Sequence, residues 1–177
     1  MIAPHFEEYA FLLARALARD AAVLLVVDTG RLDADYADRS RPAAPGVTLG
    51  LTGRDAVALE AVAAECRARG ATVRLAVLDV RDAAGMQAVL RDWDAAVPVD
   101  LAVANAGIAR GTRPDGAAEG LEDLRAQVEV NLMGAVHLVE ALLPPMRARG
   151  AGRLVLVSSI AAFRGLPDSP GYCASKA

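Results

Sequence analysis

Residues 47–78 read VTLGLTGRDAVALEAVAAECRARGATVRLAVL, and this stretch decides the fold. Its first six residues (VTLGLT, 47–52) are a short apolar run of strand type. Residues 56–69 carry apolar side chains at helical spacing and stop at Gly70, a helix C-terminal signal. Residues 72–78 (TVRLAVL) return to strand character and end at Asp79. Strand, helix and strand in this order form a βαβ unit, with parallel strands and a right-handed crossover.

The alternation continues on both sides. Residues 83–96 form a second helix candidate with Met86, Val89, Leu90 and Trp93 on one face, and Pro98 stops it. Residues 101–104 (LAVA) and 154–157 (LVLV) are further strands. Between them, 121–149 reads as one long helix, bent or broken near Pro144-Pro145. Pro170 leads into a helix that begins near Tyr172. Upstream, 22–27 (AVLLVV) supplies one more strand, expected at 23–27 between strands 47–52 and 101–104. The strands are nearly continuous apolar runs, as expected when both faces of a sheet are covered. The fold expected is α/β, a doubly wound parallel sheet in one domain over 1–177. Residues 110–120 (RGTRPDGAAEG) are the clearest loop.

Composition bounds the function. The 177 residues have a net charge of −3, 54% hydrophobic residues and 4% aromatic ones, so the core is built of Ala, Val and Leu. Mild acidity without a basic cluster argues against nucleic acid as a partner. No uninterrupted apolar run reaches the ~18–20 residues of a membrane span. Glu7 and Glu8 precede the first apolar stretch, unlike a secretory signal. Cys66 and Cys173 lie far apart without a CxxC pattern and read as reduced structural residues of a cytoplasmic protein.

The residues that carry chemistry collect at strand ends, where ligands bind in such sheets. Asp79 follows 72–78, Asn105-Ala106-Gly107 follows 101–104, and Ser158-Ser159 follows 154–157. The only other asparagine, Asn131, falls inside a helix, where its propensity is poor. Lys176 is the only lysine among 19 basic residues and stands four residues after Tyr172, on the same face of a helix. A phenol titrates near pH 10 unless a neighbouring ammonium favours the phenolate. Turn, helix-surface and chance roles account for each of these residues singly.

Taken together, Asn105-Ala106-Gly107, Asn131, Ser159 and Tyr172-x-x-x-Lys176, with Ser159 and Tyr172 thirteen residues apart, resemble the short-chain dehydrogenase/reductase family. The match runs from 47 to 177. The resemblance implies a Rossmann-like three-layer αβα fold that binds NAD(P)(H). It implies an oxidoreductase that moves hydride between nicotinamide and a small alcohol or carbonyl substrate. Tyr172 would be the acid or base and Ser159 the hydrogen-bond donor to the substrate oxygen. Lys176 would lower the Tyr172 pKa and hold the nicotinamide ribose, and Asn131 would hold a water in a proton relay. Asn105, Ala106 and Gly107 would line the cofactor, and Asp79 and Val80 would lie near the adenine. A homo-oligomer is usual in that family. At the end of 47–52 an NAD-type fold places an acidic residue, whereas here Gly53 precedes Arg54. A guanidinium suits a 2′-phosphate, so NADP(H) is expected over NAD(H), with Asp55 the counter-argument.

Two departures from the family pattern stand out. Thr29-Gly30 can open the glycine-rich phosphate loop, but Ala34 and Tyr36 stand where glycines are expected. Tyr36 is bulky where backbone must approach pyrophosphate, and Asp33, Asp35 and Asp38 add negative charge. A rival alignment takes 11–19 as the helix after that loop and 22–28 as the next strand. Under either, 1–46 is atypical. The chain also ends one residue after Lys176, so the family's last elements are expected to be absent. The competing function is therefore a non-catalytic remnant acting as an interaction module. A serine hydrolase built on Ser159 and Lys176 lacks a G-x-S-x-G elbow. If the loop lies where it is placed, NADPH binds weakly, and joint Ala34→Gly and Tyr36→Gly substitution tightens it in a fluorescence titration. Unchanged affinity in that double variant would move the loop elsewhere.

Overall fold

The computed structural model describes residues 23–26, 46–111 and 119–177. Five parallel strands form one sheet: β1 (Val23–Val26), β2 (Thr48–Gly53), β3 (Thr72–Val77), β4 (Leu101–Ala104) and β5 (Arg153–Leu156). Their order across the sheet is β3-β2-β1-β4-β5. β1 lies between β2 and β4 as expected, with Val23 opposite Leu49 on one side and Leu101 on the other. The second and fifth strands start and end within about one residue of the sequence reading, well inside the usual boundary uncertainty.

Helices lie on both faces. α1 (Ala56–Ala68) and α2 (Ala83–Ala96) begin where an aspartate caps them. Asp55 accepts from the Val57 and Ala58 amides at 2.9 and 3.0 Å, and Asp82 from the Gly85 amide at 3.0 Å. Asp55 thus has a structural task at the start of α1. One core holds Leu49, Leu51, Leu101 and Val103 of the sheet against Leu59, Ala63 and Cys66 of α1. The other holds Ala102 against Met86 and Leu90 of α2 and Leu138, Ala141 and Leu142 of a later helix. β4 therefore alternates its side chains between the two cores, the period-2 signature of a strand. Both cysteines are free, Cys66 buried and Cys173 partly so. Burial raises the Cys66 thiol pKa, which keeps it protonated.

The long helical stretch departs from expectation in one respect. α3 (Leu121–Gln127) passes into a π-helical segment (Val128–Met133) and then into α4 (Gly134–Arg149), which continues through Pro144 and Pro145. The irregularity thus lies at Asn131, not at the prolines. Ala141, Leu142 and Met146 around the prolines are buried, and that packing offsets the lost N–H donors. The combined stretch Leu121–Arg149 is long and apolar enough to cross a membrane by length and composition, its most apolar 18-residue window having a mean hydropathy of 1.2. Its apolar residues Leu138, Ala141, Leu142 and Met146 are nevertheless spent on the second core. A 3₁₀ turn (Ile160–Ala162) and α5 (Pro170–Lys176) close the described chain.

One ion pair ties three elements together. Asp94 near the end of α2 is 8% exposed. It accepts from Arg149 Nη1 at 2.9 Å and from the Val99 amide at 2.8 Å. Arg149 Nη2 donates to the Val99 carbonyl at 2.6 Å. Replacing Arg149 with methionine strands a largely buried carboxylate and is expected to cost about 2–4 kcal/mol. Denaturant titration checks this, and a loss below ~0.5 kcal/mol, typical of a surface pair, would refute it.

Candidate active site

All five strands point their carboxyl ends to one edge of the sheet, and the predicted site residues hang from that edge. The ends of β2 and β3 and the residues after them form a shallow open cleft lined by Thr52, Gly53, Arg54, Asp79, Val80 and Ala106, among others. Thr52 is 1% exposed. Its Oγ1 is the one buried side-chain polar atom without a hydrogen-bond partner among the described residues. Buried hydroxyls rarely stay unsatisfied, so the Thr52 hydroxyl has hydrogen-bonding capacity left for a water or a ligand group. Thr52 did not stand out in the sequence, where it is one more β-branched residue of a strand.

Asp79 reaches the cleft as predicted, but it is engaged by Arg81. Arg81 Nε donates to its two oxygens at 3.0 and 3.1 Å, and Nη2 donates at 2.7 Å. These hydrogen bonds hold the Asp79 carboxyl below the usual carboxylate range, with a smaller contribution from Arg54. Val80 is tied from the opposite side, where His137 Nδ1 lies 2.8 Å from its carbonyl oxygen. Because that oxygen can only accept, the contact sets the proton on Nδ1.

The second cluster gathers around Asn131. Its Oδ1 accepts from the Ile108 amide at 2.7 Å, and its Nδ2 donates to the Ile108 carbonyl at 2.9 Å and to Ser175 Oγ at 2.8 Å. The side chain thereby joins the loop after β4 to α5. Ser175 Oγ donates its own hydrogen bond to the Tyr172 carbonyl at 2.9 Å. Lys176 Nζ donates to the Val157 carbonyl at 2.9 Å, at the end of β5. Burial lowers the Lys176 pKa below that of an ordinary lysine. Gly107 completes the cluster. A β-carbon there would sit 3.4 Å from Lys176 Nζ and 3.5 Å from Asn131 Oδ1 and would fill the space both atoms face.

Ser159 and Tyr172 are 7% and 9% exposed. Ser159 caps the 3₁₀ turn, its Oγ accepting from the Ala161 amide at 3.2 Å, and α5 packs against that turn. Asn131, Gly107 and Lys176 are thus brought together, with Ser159 and Tyr172 on the flanking turn and helix. Arg54, Asp79, Val80 and Ala106 belong to the other cleft, and Asn105 leads from the end of β4 into the Asn131 cluster. Thr29, Gly30, Ala34 and Tyr36 lie outside the described residues.

Comparison with known proteins identifies the family and the fold. An uncharacterized oxidoreductase of Myxococcus xanthus is 41% identical over 135 residues, covering 75% of this chain and 52% of that protein. The chain therefore spans about half the length of that relative. Levodione reductase superposes with a TM-score of 0.76 at 28% identity, over 89% of this chain and 62% of that one. L-sorbose reductase from Gluconobacter frateurii, solved with NADPH and L-sorbose, superposes with a TM-score of 0.70 at 27% identity, over 88% and 59%. The family model for short chain dehydrogenase matches residues 39–177, from before β2 through Lys176, and the chain belongs to the short-chain dehydrogenase/reductase family.

Proposed function

We propose that this chain is the nucleotide-binding and acid–base portion of an NADP(H)-dependent reductase or dehydrogenase acting on a small alcohol or carbonyl compound. The observation that carries the reading is the placement of the only lysine. Lys176 is half-buried one helical turn from Tyr172, its ammonium anchored on the Val157 carbonyl and close to Gly107. A lysine placed by chance on a solvated face would have no such surroundings.

The residues present fit the cofactor at its adenosine end. The cleft offers the apolar walls of Leu78, Val80 and Ala106, the orphan Thr52 hydroxyl and the Arg54 guanidinium. Arg54, after a glycine where an acidic residue would repel a phosphate, favours NADP(H). The nicotinamide, when bound, supplies or accepts the hydride. Tyr172 gives its proton to the substrate oxygen in reduction and takes it back in oxidation. Ser159 Oγ donates a hydrogen bond to the same oxygen. The lowered pKa of Lys176 makes its ammonium a better proton donor than a surface lysine. Asn131 Oδ1 keeps a lone pair beyond the Ile108 bond and can hold a water that returns protons to Lys176. The reading takes 1–177 as a single domain of a cytoplasmic protein that forms homo-oligomers.

Two measurements test it. NADPH consumption over a panel of aldehydes and ketones should fall about 10²–10⁴-fold in Tyr172→Phe, the usual share of a general acid. Turnover that survives the substitution would remove Tyr172 from the chemistry. In a binding titration NADPH should bind roughly tenfold or more tightly than NADH, and Arg54→Ala should erase that difference, as loss of one charge-assisted contact predicts. Equal affinities in the parent chain would assign Arg54 to the surface instead.

A further inference from the structure

Asn131 is not the only side chain that bridges the long helix to α5. One turn earlier, Gln127 is fully buried. Its Oε1 accepts from the Arg110 amide at 2.9 Å, and its Nε2 donates to the Asp123 carbonyl at 3.0 Å and to Glu119 Oε1 at 2.5 Å. The other oxygen of Glu119 accepts from the Gly171 amide at 2.6 Å. Two rungs therefore cross between the helices. Gln127 and Glu119 hold the loop after β4 to Gly171, and Asn131 holds the same loop to Ser175. Gly171 and Ser175 are four residues apart, as are Tyr172 and Lys176, so the rungs grip one face of α5 and turn the neighbouring face to the site.

We propose that Glu119 and Gln127 are positioning residues that fix how α5 presents Tyr172 and Lys176. The functional meaning of the brace rests on the reductase reading above. Position 171 is matched to it. A β-carbon on Gly171 would lie 2.5 Å from Glu119 Oε2 and 2.7 Å from Gln127 Nε2, so any larger residue displaces both groups. Gln127 has all its bonds made and no exposed surface, which leaves it no room to yield.

The single lysine makes the test direct. Acylation of Lys176 by acetic anhydride is followed against pH on the whole 177-residue chain by peptide mapping, with the N-terminal amine as internal reference. In the parent, Lys176 is expected to react slowly, with a midpoint below that of an exposed lysine. Glu119→Gln leaves one of the two donors facing an amide NH₂. Gly171→Ala keeps every side chain of the brace yet pushes it aside, while alanine favours the helix more than glycine does. In both variants Lys176 should react roughly tenfold or more faster, with its midpoint moved up toward that of an exposed lysine, while amide exchange in α1 stays as in the parent. If Glu119→Gln fails to fold, Gly171→Ala carries the test alone. Profiles that superimpose on the parent, or a change matched by equal loosening of α1, would overturn the proposal. Labelling needs neither cofactor nor turnover. An unmoved profile therefore sinks the brace without touching the reductase reading, and absent NADPH binding and turnover would sink that reading without touching the brace.

Discussion

The site depends on one buried amide. Asn131 satisfies both hydrogen-bonding groups of Ile108 and still reaches Ser175, so three segments far apart in the chain share a single side chain. Such an arrangement is stable only if every polar group in it is paired, because an orphaned amide in the interior costs more than the bond contributes. The π-helical turn is the local departure that comes with it. Within Val128–Met133 both Val130 and Asn131 are buried, the valine toward the second core and the asparagine toward the loop after β4. Irregular turns of this type recur at functional sites because they re-aim a residue without ending the helix.

Electrostatics in the two halves of the site run in opposite directions. In the cleft after β2 and β3, Arg81 holds Asp79 ionised and Arg54 adds positive charge beside it. Around Lys176, burial lowers the pKa of the amine below that of an ordinary lysine. One half holds charge in place and the other makes a proton easy to move. A cofactor bound at one end and a proton exchanged at the other would use the two halves differently.

Much of this was readable in the residues. The apolar runs fixed the parallel strands, while the capping tasks of Asp55 and Asp82 at the starts of α1 and α2 emerged only from the structure. β1 took its place between β2 and β4, as the topology of successive βαβ units required. Asn131 drew notice because asparagine is a poor helix former, and Lys176 because it has no rivals. The prolines misled, since Pro144 and Pro145 are local signals and the burial that overrides them is tertiary. Gln127 and Glu119 left no trace in the pattern. Glutamine and glutamate are ordinary at the start of a helix, and the partner of Glu119 lies 52 residues away in sequence. The orphan hydroxyl of Thr52 was invisible for the same reason, being a property of what surrounds it.

The alternation of β4 between two cores has a mechanical consequence. Leu101 and Val103 fill one side and Ala102 the other. A slip of one residue would drive two large side chains into the space made for alanine and leave a void on the far side. Neither overfilling nor a void is tolerated in close-packed interiors. The strand is thus keyed like a ratchet, able to occupy one register and no adjacent one. Asn105, Ala106 and Gly107, which continue directly from its end, inherit that fixed coordinate along the strand axis, so the floor of the site is set by the sizes of three core side chains rather than by anything that binds there.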